Sequence, residues 1–108
     1  MAYLVFLTDD ASNDLEELID FIESHDSPPK AQHVLDKIED ILSSLADSPE
    51  RGAYPKELLA LGIKEYRQLF FKPYRLIYRV VGKKVIVMVI ADGRRDMSAL
   101  LQRRLLQA

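Results

Sequence analysis

Apolar residues recur along this chain with two different periods, and the change from one to the other divides it into a helical half and a strand half. Leu15, Leu18, Ile19 and Ile22 follow one another at three- and four-residue spacing, as on one buried face of a helix. Thr8 stands just before them with a side-chain oxygen able to accept an orphan backbone N–H, and Asp9 and Asp10 place negative charge in the first turn, where the helix dipole favours it. The pattern predicts a short β-rich run over Tyr3 to Leu7 and then a helix from Asp9 to Ser24. His25 to Pro29 breaks it, with Ser27 as the next cap and Pro28 at a first-turn position that tolerates proline. Ala31, Val34, Leu35, Ile38, Ile41, Leu42 and Leu45 then trace a second stripe, stopped after Asp47 by Pro49 and Gly52.

Two helices joined by so short a loop form a hairpin whose stripes need a larger apolar surface to cover them. The second half supplies it. After a loop or short turn through Leu58 to Leu61, Gly62 opens a strand-prone run from Ile63 to Phe71, Lys72-Pro73 interrupts it, and Tyr74 to Val81 forms another. Gly82-Lys83 suits a tight turn, because glycine accepts the positive φ that hairpins demand. Val85 to Ile90 is almost wholly apolar, as a central strand covered on both faces would be, and Asp92-Gly93 ends it. Met97, Leu100, Leu101 and Leu105 return to helical spacing between Asp96 and Gln107. The expected fold is α+β in the order β-α-α-β-β-β-α, with a helical hairpin packed on a largely antiparallel four-stranded sheet.

Length and composition narrow the setting. A chain of 108 residues with 48% hydrophobic and 30% charged residues is expected to be one soluble domain, residues 1–108. It has no cysteine, which fits a reducing compartment, and nothing near Met1 resembles a signal peptide, so the cytoplasm is the expected location and no membrane is involved. No P-loop, dinucleotide fingerprint, hydrolase elbow or zinc motif is present, so neither cofactor nor metal is expected. The net charge of -2 conceals a strong polarity. Residues 1–50 hold 13 Asp and Glu against 2 Lys, whereas residues 51–108 hold 13 Lys and Arg against 4 acids. Different surfaces are thereby suited to different partners.

The basic half carries three Tyr-Arg dipeptides, Tyr66-Arg67, Tyr74-Arg75 and Tyr78-Arg79, and closes with Arg94-Arg95. Strand alternation puts Tyr74, Leu76 and Tyr78 on one face of the third strand and Arg75, Ile77 and Arg79 on the other, the two arginines about 13 Å apart at strand rise. The tyrosines are read chiefly as core residues with hydroxyls at the rim, and base stacking is the alternative. The arginines either pair on a solvated face with Glu65 or another acid, or form a cationic patch that Arg94 and Arg95 join from the next strand end.

Three stretches carry a resemblance: Gly62-Ile63-Lys64-Glu65-Tyr66-Arg67, then Tyr74-Arg75-Leu76-Ile77-Tyr78-Arg79-Val80, then Ile90-Ala91-Asp92-Gly93-Arg94-Arg95-Asp96. Together they resemble the RelE/ParE superfamily of type II toxins from toxin-antitoxin (plasmid stabilisation) modules. The opening of the first helix, with Thr8, Ala11, Asp14, Leu15 and Ile22, is similar to that of ParE-like members. The resemblance implies the fold derived above and divides by branch: RelE-like members cleave messenger RNA on the ribosome, and ParE-like members poison DNA gyrase without such cleavage.

Cleavage by a 2'-hydroxyl needs proton transfer as well as cations on the phosphorane, and arginine serves only the second need. By resemblance Arg75 and Arg95 fall where RelE-like enzymes hold cationic catalytic residues, and Arg67 falls near a family lysine. The position of the family's C-terminal tyrosine is Leu101, however, and a second basic position falls near Leu69. His25 and His33 lie on the acidic hairpin and do not replace them. The expectation is therefore a ParE-like gyrase inhibitor neutralised by a cognate antitoxin protein, touching operator DNA only through that antitoxin. A ribosome-dependent mRNA endonuclease using Arg67, Arg75 and Arg95 is the alternative, and a non-toxic relic serving operon autoregulation is a third. The expected partner-binding residues are Arg75, Arg79, Arg94, Arg95, Met97, Leu101 and Leu105.

Overall fold

The computed structural model describes residues 2–107. The elements run β1 (Leu4–Leu7), α1 (Asp9–His25), α2 (Pro28–Asp47), α3 (Lys56–Leu59), β2 (Arg67–Phe71), β3 (Tyr74–Val81), β4 (Lys84–Asp92) and α4 (Met97–Leu101), followed by a wider π-type turn over Gln102–Leu106. Both helix starts form as their sequences dictate. Thr8 accepts from the Ala11 N–H and Ser27 from the Lys30 N–H, with proline occupying the first turn of α2. The expected α+β architecture is therefore the observed one.

The four strands lie in the order β1-β4-β3-β2. β2, β3 and β4 form an antiparallel meander, and β1 joins β4 in parallel, with Leu4 opposite Lys84 and Leu7 opposite Val87. Gly82 takes a φ of 59° in the β3–β4 turn, a conformation that costs glycine nothing extra. The hairpin α1–α2 covers one face of the sheet. Ala11, Ile22, Val34, Ile38 and Leu45 meet Leu69, Leu76, Tyr78, Val85, Val87 and Ile90 in a first core. The opposite face carries a second, smaller core in which Leu58, Tyr66, Met97, Leu100 and Leu101 close over Ile77, Val89 and Ala91. Burying one such aliphatic side chain completely contributes about 1.5–3 kcal/mol before entropy is counted.

One strand serves both cores because it changes parity. The pairing of β3 with β4 shifts between Ile77 and Tyr78, so that Ile77 faces Val89 while Tyr78 faces Val87, leaving Met88 as the extra residue of a bulge. Val85 and Val87 point to the hairpin before it, and Val89 and Ala91 point to the second core after it. This explains a run too apolar for simple alternation.

Three boundaries differ from the sequence reading. The strand expected from Ile63 starts at Arg67, because Gly62 at φ 75° closes the turn after α3 and Ile63 and Tyr66 drop out of the sheet line to pack on the second core. Of the loop or short turn expected through Leu58 to Leu61, the turn is what forms, as the four-residue helix α3, which begins at Lys56. The C-terminal helix, expected to be continuous from Asp96 to Gln107, is α-helical only to Leu101 and then widens, with the Gln107 N–H donating to the Gln102 carbonyl.

Candidate functional site

The three Tyr-Arg dipeptides reach very different environments. Tyr78 is wholly buried in the first core, and its hydroxyl accepts the Gly52 N–H at 3.0 Å. That approach is close: a Cβ on Gly52 would lie 2.6 Å from the Tyr78 hydroxyl oxygen and 2.7 Å from the Gln68 carbonyl oxygen. Tyr66 and Tyr74 are buried as well. Burial raises the ionisation of Tyr74 and Tyr78 above the ordinary phenol range, so neither is a ready proton acceptor.

Arg75 leaves β3 on the face away from the hairpin and is only 6% exposed. Its two terminal nitrogens donate to the two oxygens of Glu57 at 2.8 and 2.9 Å, and its Nε donates to Gln68 Oε1 at 2.9 Å. The fork of the guanidinium matches the planar carboxylate, which is the geometry arginine offers best. Its hydrogen bonds hold the Glu57 carboxyl below the usual carboxylate range despite burial. Glu57 comes from α3, and the Arg75 stem lies against Gly93, where a Cβ would sit 2.8 Å from Arg75 Cδ. Of the expected alternatives, Glu65 or another acid, the partner of Arg75 is the other acid, Glu57.

Arg67 is fixed by backbone oxygens. Its Nη1 donates to the carbonyls of Glu50 and Gly52 at 3.2 and 2.9 Å, its Nη2 to the Tyr54 hydroxyl at 3.3 Å, and its guanidinium lies 4.7 Å from the Tyr54 ring centre. Arg79 lies over the Tyr66 ring at 5.7 Å, with its Nε buried and without a hydrogen-bond partner. Arg94 is 77% exposed and folds back on Asp92 at 2.6 Å, drawing that carboxyl below its ordinary range. Arg95 is exposed, its backbone N–H donating to the Asp92 carbonyl at 3.2 Å. Met97 and Leu101 are buried in the chain's own second core and Leu105 is half-buried at its rim, so a partner reaching them must first move this segment.

Arg75 and Arg94 do meet, in a groove of about 480 Å³ lined also by Tyr54, Lys56, Gln68, Phe70, Lys72, Pro73 and Gly93. Arg67 contributes from behind Tyr54, while Arg79 lies elsewhere, in a smaller polar groove with Glu50, Lys64, Glu65 and Arg67. No imidazole enters either groove. His25 stacks on Phe21 and His33 meets Phe71 edge-on, both on the helical hairpin. Among the described residues no group of three His, Cys, Asp or Glu is placed to hold a metal ion.

Sequence reasoning missed Glu57 and Gln68, the groove aromatics Tyr54 and Phe70, and a second ion-pair centre. Arg104, in the last turn, reaches α1 to donate to both oxygens of Asp14 at 3.0 Å and to the Met88 carbonyl at 3.0 Å. Asp14 Oδ2 also accepts the Ile90 N–H just past the bulge, at 3.1 Å. Asp14 keeps Arg104 charged beyond its already high ordinary range. The acid and the base were each visible in the sequence, but nothing local joined two residues so far apart in the chain.

Comparison with known proteins gives this geometry a context. Residues 5–97 match the family model described as the ParE toxin of the type II toxin-antitoxin system, parDE. Toxin ParE3 of Caulobacter vibrioides is 26% identical over 100 residues, which cover 93% of this chain and 96% of that protein. A structure of the chromosomal ParDE toxin-antitoxin system from P. aeruginosa superposes with a TM-score of 0.70 at 21% identity, over 84% of this chain and 96% of that one. The toxin-antitoxin complex RelBE2 of Mycobacterium tuberculosis gives 0.61 at 22% identity, over 85% and 92%. A mutant of the E. coli toxin RelE in the free state gives 0.63 at 17% identity, over 97% and 100%. These structures share the fold, and the family match over most of the chain carries the assignment: the protein belongs to the ParE toxins of type II toxin-antitoxin systems.

Proposed function

We propose that this toxin, a single domain acting in the cytoplasm, inhibits DNA gyrase by binding it, carries out no cleavage of its own, and is neutralised by a cognate antitoxin. The observation that carries this reading is the pair Arg75–Glu57. Among the cations that the RelE resemblance assigns to a scissile phosphate, Arg75 is the one that lines the groove, and a carboxylate already satisfies both its terminal nitrogens. A phosphate could take that place only by displacing Glu57 and leaving a buried carboxylate unpaired, which costs several kcal/mol. Arg67 is directed at carbonyls, and Leu101 is buried where the cleaving relatives hold a tyrosine. Neither a histidine nor an unpaired carboxylate lines the groove to move a proton.

What stays available is suited to holding a protein. Arg94 and Arg95 give cations at one end of the sheet, with Arg75 behind them, Arg79 presents its accessible part in a separate groove, and Met97, Leu101 and Leu105 set the position of the Arg94-Arg95 corner from inside. The antitoxin assignment draws on the family and on fold neighbours described as toxin-antitoxin assemblies. Adding the purified chain to a gyrase supercoiling reaction is expected to stop it at near-stoichiometric amounts, with ribosome-bound message left intact. Uninhibited supercoiling together with cut message would replace this reading by the endonuclease one, and no effect on either, or on growth without antitoxin, would leave only the antitoxin-binding relic.

A further inference from the structure

We propose that the free edge of β1 pairs with the same edge of a second copy of this chain, joining two four-stranded sheets into one across a two-fold axis. The two edges of the sheet are finished differently. On β2, Gln68 and Ala53 exchange both backbone hydrogen bonds, at 2.7 and 3.1 Å, so the loop after α2 caps that edge. β1 is the last strand on its side, and among the described residues no strand or bridge lies beyond it. The N–H groups of Leu4 and Thr8 turn inward to the Lys83 and Val87 carbonyls, so by alternation those of Val5 and Leu7 turn outward. Tyr3, just before the strand, donates its N–H to the Ala46 carbonyl at 2.7 Å, which confines the free edge to Val5–Leu7. Soluble proteins protect such edges with charge, proline or a bulge, and Leu4-Val5-Phe6-Leu7 has none of them. Its face away from the hairpin is also bare, with Leu4 60% and Phe6 45% exposed.

Sequence and charge select a second copy as the occupant. With Phe6 on the axis, Val5 of each copy lies opposite Leu7 of the other, and the two pairs exchange four backbone hydrogen bonds. Phe6 then meets Phe6 in the intervening non-hydrogen-bonded pair, where Cα atoms lie about 4.5 Å apart and side chains are closest. Antiparallel pairing also matches charge. Lys83 and Lys84 lie over the Tyr3 and Phe6 rings at 5.3 and 5.9 Å, beside the start of β1, and the exposed Asp9 and Asp10 follow its end. The two-fold axis brings the basic end of each strand to the acidic end of the other. An acidic strand is a poorer occupant, because Glu16 and Glu39 border the same edge on the hairpin side, whereas β1 itself is uncharged. This edge lies across the sheet from β2, so the pairing is separate from the groove beside Arg75 and from the choice of cellular target.

The test is sedimentation velocity of the purified full chain from micromolar to millimolar concentration, with two edge variants. Wild type is expected to pass from monomer to dimer across the series. Val5→Pro deletes an outward N–H without touching the ladder between β1 and β4, and Phe6→Lys puts like charges on the axis. Each is expected to weaken dimerisation about ten-fold or more, with unchanged far-UV spectra showing that the fold is kept. Phe6 is exposed, so the second variant stands even where the first fails to fold. Because the chain has no cysteine, Phe6→Cys supplies a single thiol, and oxidised glutathione is expected to convert it to a disulfide-linked dimer, since Cα atoms opposed at this spacing lie within disulfide reach. Phe70→Cys, comparably exposed on β2, is the control and should remain monomeric. The proposal is overturned if wild type stays monomeric at every concentration, if folded edge variants dimerise as wild type does, or if Phe70→Cys cross-links as fast as Phe6→Cys. A monomeric chain whose Val5 and Leu7 amide resonances shift on adding acetyl-Lys-Val-Thr-Val-Lys-amide would give the edge to a foreign strand and likewise overturn it.

Discussion

The two faces of the sheet are built on opposite terms. On the hairpin side, α1 and α2 lay continuous aliphatic stripes over Leu76, Tyr78, Val85 and Val87, and the one polar group carried deep into that core, the Tyr78 hydroxyl, has its partner in the Gly52 N–H. On the other side a four-residue helix and a five-residue helix cover a smaller area, and the gap beside them is filled by Arg75, Glu57 and Gln68. Dry packing holds the first face and an ion pair helps to hold the second. The groove and the exposed cations Arg94 and Arg95 thus belong to the face that is less completely packed.

The comparison can be broken most severely from the dry side. Tyr78→Ala removes a fully buried aromatic side chain and leaves the Gly52 N–H without its acceptor, and is expected to cost about 3–5 kcal/mol in urea unfolding at neutral pH. Next comes Glu57→Ala, which strands the buried Arg75 charge and is expected to cost about 3 kcal/mol. This second loss should be pH-dependent in one direction. Because the folded Glu57 carboxyl titrates below its unfolded value, its contribution is present above about pH 4.5 and disappears as pH falls through the folded value. Wild type and Glu57→Ala should therefore converge in strongly acidic solution, and an unchanged gap there would show that the pair is not the source.

Arg104→Ala comes third, at about 2 kcal/mol, since it removes a charged hydrogen-bond pair and leaves Asp14 bound only to the Ile90 N–H. Amide exchange should rise in residues 97–106 more than in the hairpin. Thr8→Ala, which deletes the α1 cap, is expected to cost about 1 kcal/mol and to leave groove resonances unmoved. Arg94→Ala is the smallest: its pair with Asp92 is solvated, so no measurable change in the unfolding midpoint is expected.

How much of this could be read from the sequence follows the same division. The hairpin was legible because its determinants are local: the stripes, the Thr8 and Ser27 caps and the Pro28 start all act within a few residues of one another. The split of β3 into tyrosines on the hairpin face and arginines on the opposite face was legible from parity alone, although burial of Arg75 was not. The bulge at Met88 was not, since an all-apolar strand gives no sign of where its alternation slips. The site was half legible. Arg75 and the Gly93-Arg94 corner were expected to approach each other and they do, but the identity of Arg75's partner depended on a four-residue helix too short to announce itself by period. Tyr54 and Phe70 became a wall only once the Ala53–Gln68 bridge brought the loop after α2 alongside β2.

β1 has a consequence for how the protein is made. It leaves the ribosome some eighty residues before its strand neighbour β4, since residue 4 lies opposite residue 84. The hairpin that follows β1 must wait for the same strands before its stripes are covered. Pairing between such distant segments is slow to nucleate, and exposed apolar surface persists until it occurs. A nascent chain that has not reached residue 94 thus lacks the end of β4 and a groove lined by Gly93 and Arg94. Synthesis itself thus delays the completed groove until β4 and the Gly93-Arg94 corner have been translated.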